Sequence, residues 1–150
     1  MNKSKYISVP AIAMVLLTTA TTLRAEAGGP AEPLVFQGVM QQLGRDMQAV
    51  TDAISTENWE AVAELAPKIA HHAEPPAEEK TRILSWLGSD IGKFHRFDGE
   101  VHEAAAAMKE AAQRDDGQAV ISTFAKVQQS CLACHQNFRK PFVEHFYGPR

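Results

Sequence analysis

Residues 120–139 read VISTFAKVQQSCLACHQNFR, and the place of the two cysteines in this segment decides the fold. Val120, Phe124, Val127, Cys131, Cys134 and Phe138 recur at alternating spacings of four and three residues, the seam of a helix packed against other helices. The thiols therefore occupy core positions of a bundle helix. Cys131-Leu132-Ala133-Cys134-His135 is also a CxxCH, the attachment signature of a c-type haem. Two thiols must reach two vinyl groups on one edge of a porphyrin while an imidazole reaches the iron, and positions i, i+3 and i+4 share one helix face. Cys131 and Cys134 are the only cysteines in the chain, so neither has another partner.

Three other readings compete with haem. A CxxC is also the motif of a thioredoxin-like dithiol, half of a zinc site, or simply two small buried hydrophobes. The dithiol wants a strand-to-helix junction, whereas this motif lies deep in a helical pattern. Zinc needs a fourth ligand, which His145 offers, but without finger-like spacing. No Ser/His/Asp or Gly-rich constellation points to hydrolytic or nucleophilic catalysis, so no enzyme is expected.

Working towards the start of the chain, Lys3 and Lys5 precede an apolar run over residues 7–17 and then Ala25-Glu26-Ala27, the layout of a secretory signal peptide. The run is too short to remain as a bilayer span. Residues 1–27 are thus expected to be removed, leaving 28–150 as one domain in the periplasm, where covalent haem attachment takes place in an oxidising compartment. Cleavage there removes Lys3, Lys5, Arg24 and Glu26 and leaves 12 basic against 17 acidic residues, a net charge of −5. An acidic surface argues against nucleic acid and favours redox partner proteins with basic docking surfaces.

Three further seams complete a bundle. Phe36, Met40, Leu43, Met47, Val50 and Ile54 predict a first helix; Trp59, Val62, Ala66, Ile69 and Ala73 a second, with Asn58 as its cap and Pro67 predicting a kink or restart. A third pattern begins near Ala77 with Ile83, Leu84 and Leu87. Its glycines, Gly88 to Gly99, predict a turn or a broken helix before Val101, Ala104, Ala105, Met108 and Ala112 resume it. Asp116 is placed to cap the last helix, and Pro141 predicts its end near Lys140. With no period-two runs, the expected fold is all-α, an antiparallel four-helix bundle with the haem on its last helix. His71 and His72 read as a solvated pair at a helix C-terminus, and His145 as surface.

CLACHQNFR at 131–139, together with VMQQLGRDM at 39–47, resembles class II cytochromes c, the cytochrome c prime family, across essentially the whole expected mature chain. The resemblance implies one covalently bound haem c with His135 as proximal ligand. At position 40, high-spin members carry an apolar residue that leaves iron open, and low-spin members of the cytochrome c-556 type carry methionine. This chain has Met40, so the resemblance implies a His/Met-ligated, low-spin, one-electron carrier. Spacing alone makes Met40 a core residue like Met47 and Met108; Met47, His95 and His102 stand as substitute ligands. By resemblance Arg139 lies beside the proximal haem face or a propionate; otherwise it is a cation suited to a helix C-terminus. Phe124 and Phe138 are expected to keep the porphyrin edge dry. A gas-binding protein, with Met40 displaceable by NO or CO, is the alternative function, and a homodimer through the first two helices is the assembly known in such a family.

Overall fold

The computed structural model describes residues 33–148, so the signal segment expected over residues 1–27 lies outside the described residues. Helices α1 (Val35–Ser55), α2 (Trp59–Ala70), α4 (Ile91–Ala112) and α5 (Gly117–Cys134) form the bundle. Between α2 and α4 stands a separate helix, α3 (Ala77–Leu87), followed by a 3₁₀ turn over Gly88–Asp90; α5 continues through a π turn, His135–Arg139, into α6 (Lys140–Tyr147). Among the described residues there are no strands. None of their helices is long and apolar enough to cross a membrane.

The four seams meet, except that Ala73, read as the end of the second, falls beyond α2 and is exposed. α1 packs on α2, α2 on α4 and α4 on α5, with residues 56–58 and 113–116 as tight connections at one end of an antiparallel bundle. Val50, Val62, Ala66, Ile69, Ala105, Met108, Val120 and Val127 form its core at essentially zero exposure. The two tight turns repeat one solution. Glu57 and Asp115 adopt positive φ (53° and 54°), and the next residue's N–H reaches back five positions, Asn58 to Ala53 and Asp116 to Ala111. These are Schellman endings, each followed at once by an N-cap: Asn58 Oδ1 accepts from the Ala61 N–H and Asp116 Oδ1 from the Ala119 N–H, both at 3.0 Å.

Gly117 sits where those turns touch. A Cβ added there would lie 2.8 Å from Trp59 Cζ2, inside contact distance. Gly117→Ala should gain ~0.4–1 kcal/mol from a stiffer unfolded chain but lose ~1–3 kcal/mol to overpacking. Urea unfolding is therefore expected to show net destabilisation, and an unchanged midpoint would contradict this packing.

Three local expectations are corrected. α2 does not restart at Pro67 but runs to Ala70, where burial of Ile69 and Ala70 offsets the one lost donor in a last turn. The break over residues 88–99 shrinks to the 3₁₀ turn: Gly88 turns the chain with φ 53°, while Gly92 and Gly99 are held inside α4. Phe97 is buried there beneath the Arg96 guanidinium, 4.3 Å from its ring centroid, and Arg96 pairs with Glu100 at 2.6 Å. That burial outweighs a helix-glycine cost of ~1 kcal/mol each. The last helix does not stop at Lys140. A proline ring at 141 would collide with the carbonyl of Asn137 in an α-helix, and widening over His135–Arg139 makes room for it.

Candidate functional site

The bundle end away from the two tight turns gathers the α2 C-terminus, the α4 N-terminus and the CxxCH. A second apolar cluster builds there: Ile83, Leu87, Phe97 and Phe138 are buried, with Phe36, Trp86, Phe94 and Phe142 packed against them. Helix α1 reaches this end without a side-chain cap of its own. Instead the Glu79 carboxylate of α3 accepts the N–H groups of Val35 and Phe36 at 2.9 and 2.7 Å, and the Leu34 N–H donates to Tyr147 Oη of α6 at 3.1 Å. A carboxylate on a helix N-terminus is a charge-assisted cap. It ties α3 and α6 to the helix that carries Met40.

These elements enclose a mainly apolar cavity of about 480 Å³, within the usual range for a cofactor or small-ligand site. Cys131, Cys134, His135, Arg139 and Met40 all line it, so the structure brings together the five residues assigned to the haem. Leu132, between the thiols, is 57% exposed, as the helical face requires. Cys131 packs against the bundle core and Cys134 against the aromatic cluster, which sets the pair at the seam between them. Burial pushes both thiols up, Cys134 to about 11. Reactive dithiols depend on a lowered pKa, so thiol-disulfide exchange is disfavoured here.

His135 opens the π turn, a distortion common at functional positions. The wide turn is held by Asn137, whose Nδ2 donates to the Ala133 carbonyl at 2.7 Å and whose Oδ1 accepts from Lys93. Burial first, then the Arg139 charge, holds the His135 pKa below its ordinary value. The imidazole is thus neutral near pH 7, the form that ligates a metal.

Among the substitute ligands, His95 lines the cavity, but Met47 packs against the bundle core and His102 does not line it. Phe138 lines the cavity, whereas Phe124 packs against the bundle core away from it. His145 is exposed and stacks on Trp86 at 6.0 Å. The reading of His72 as a solvated cation is overturned: its side chain is 13% exposed, lines the cavity and lies 3.2 Å from Asp98 Oδ1. α2 ends at Ala70, so the chain turns His72 inward over α4.

The Asp98 hydrogen bond raises the His72 pKa above 6.5, against a smaller opposing effect of burial, and His72 in turn lowers Asp98 below 3.8. The His72 contribution to stability is complete below pH 6.5 and is lost as pH rises through its raised folded value. That of Asp98 is present above pH 3.8 and is lost as pH falls through its lowered value. Asp98→Asn should therefore destabilise the chelator-treated protein most between about pH 4 and 6.5, by up to ~1 kcal/mol for a partly exposed pair. Urea titrations at stepped pH read this; a difference that grows above pH 7 would contradict it.

A four-helix bundle whose last helix turns CxxCH and a facing methionine into one apolar cavity defines a class, the helical haem c proteins. Comparison with protein-family models matches residues 35–139 to the family described as Cytochrome C', and the chain belongs to that family. Its cofactor is covalently attached haem c. Membership makes it a haem c protein of electron transfer or gas binding, a haem carrier of a generally non-enzymatic family. Comparison with curated proteins finds no match.

The cavity suits that cofactor on its own geometry. Two thiols and a neutral imidazole converge from one helix onto a space with apolar walls.

Proposed function

We propose that the protein is a periplasmic, low-spin, mono-haem electron carrier. In this reading Cys131 and Cys134 tether haem through thioethers, and His135 and Met40 ligate its iron. Haem supplies a one-electron couple at that iron. The observation that supports Met40 is that it shares the cavity with His135, whereas Met47 and His102 do not.

The chain's own residues then do three things. His135, neutral and fixed in a π turn pinned by Asn137 and Lys93, offers an unchanging proximal nitrogen. Met40 is carried on a helix whose start is clamped by Glu79 and Tyr147, so the distal thioether stays in place when the electron arrives or leaves. Phe36, Phe94, Phe138 and Phe142 dry the cavity, and a dry pocket with a thioether ligand keeps the potential high. Arg139, which also lines the cavity, is suited to a propionate, its planar fork matching a carboxylate. Docking is weak and electrostatic, the acidic mature surface meeting basic partners through a small interface.

Met40→Ala tests the reading. The variant is expected to turn a low-spin spectrum high-spin, to bind CO when reduced, and to lose potential. A low-spin spectrum surviving in Met40→Ala would transfer ligation to His95 or His72, the cavity's other imidazoles.

A further inference from the structure

Beside the cavity lies a cluster with no part in that reading. His72, just past α2, meets Asp98 and His102, which stand one turn apart on α4. His72 Nε2 is 3.2 Å from Asp98 Oδ1 and 3.3 Å from His102 Nε2, and His102 Nε2 is 3.5 Å from Asp98 Oδ2. The other ring nitrogen, His72 Nδ1, lies 3.2 Å from the Ala73 carbonyl.

Each ring nitrogen of His72 thus faces an oxygen that only accepts, the Ala73 carbonyl at Nδ1 and the Asp98 carboxylate at Nε2, and the single proton of a neutral ring satisfies just one of them. A cation held at Nε2 would satisfy the carboxylate and leave the proton to Nδ1, with the second imidazole nitrogen beside it at 3.3 Å. The spacing suits a metal ion. Tetrahedral coordination at 2.0–2.1 Å places ligand atoms about 3.3–3.4 Å apart; the two imidazole nitrogens stand at 3.3 Å, and each meets its own oxygen of Asp98, at 3.2 and 3.5 Å. An imidazole whose other N–H is held by a backbone carbonyl is also the usual outer arrangement of a histidine ligand.

We propose that His72, Asp98 and His102 form a second metal site, separate from the haem iron, for a divalent transition ion of borderline softness such as Zn²⁺. Two imidazoles and a carboxylate supply three ligands and leave the fourth position to water. The Asp98 and His102 side chains are 40% exposed, which gives the ion a way in. His72 and Asp98 also line the cavity, so the ion would stand at its wall with His72 Nε2 turned to Asp98 and His102. The site stands whether Met40 or His95 is the sixth ligand of the haem, and it requires that His72 is not.

The test is calorimetric titration of Zn²⁺ into untagged, chelator-treated holoprotein. One tight equivalent per chain is expected. His102→Ala should abolish it, with the helical circular dichroism and the haem spectrum unchanged, and Asp98→Asn should weaken it at least tenfold. A holoprotein that takes up no Zn²⁺, or a tight equivalent that persists in His102→Ala, would overturn the site. Zinc uptake that survives His102→Ala but disappears in His71→Ala or His145→Ala would likewise assign the ion elsewhere.

Discussion

Replacing Cys131 and Cys134 together by alanine is expected to yield protein with no covalently held haem. Both side chains open onto the one cavity, from positions three residues apart on a single face, while Leu132 between them faces solvent. Burial raises both pKa values, so the pair is poorly suited to exchange chemistry, and removing it costs the protein its attachment points. Acidified-solvent extraction should release all porphyrin from the double variant and none from the parent. Either single variant should retain one tether. Haem that stays with the double variant after extraction would contradict the assignment of these thiols.

The second large effect lies in the core. Met108 is fully buried near the C-terminal end of α4, on a helix face otherwise built of Ala104, Ala105, Ala111 and Ala112. Those alanines let the helices approach closely, and the one long side chain among them fills the space that remains. Met108→Ala removes its buried methylenes and leaves a cavity that small neighbours cannot close, a loss of ~2–5 kcal/mol. Met47, half-buried at the edge of the same cluster, should cost clearly less on the same change. Urea unfolding of the holoprotein orders the two; an equal or smaller loss at Met108 would show that the bundle centre is not packed as described.

The four bundle helices were legible because their seams are local. Met47, Val50 and Ile54 on α1, like Val120, Phe124 and Val127 on α5, repeat at helical spacing, and Asn58 and Asp116 announce their helices by chemistry confined to three residues. The CxxCH was legible for the same reason, whereas its seam makes Met40 a core residue and only the family resemblance gives it a place at the iron. What stayed hidden depends on contacts distant in sequence. Gly92 and Gly99 look like breaks until the burial of Phe97 is known, and Pro141 looks like a terminus until the π turn absorbs it. His72 and Asp98 stand 26 residues apart and meet only because α2 stops at Ala70. Asp98 and His102, one turn apart on one face, were the single local hint of that cluster.

The central claim is that two protein ligands, His135 and Met40, hold the haem iron. The most direct measurement is the visible spectrum of the purified wild-type protein, oxidised and then reduced, before and after CO. Sharp low-spin bands that CO leaves unmoved are expected in the reduced protein. A broad high-spin spectrum that shifts on CO would contradict the claim and make the cavity a gas-binding site.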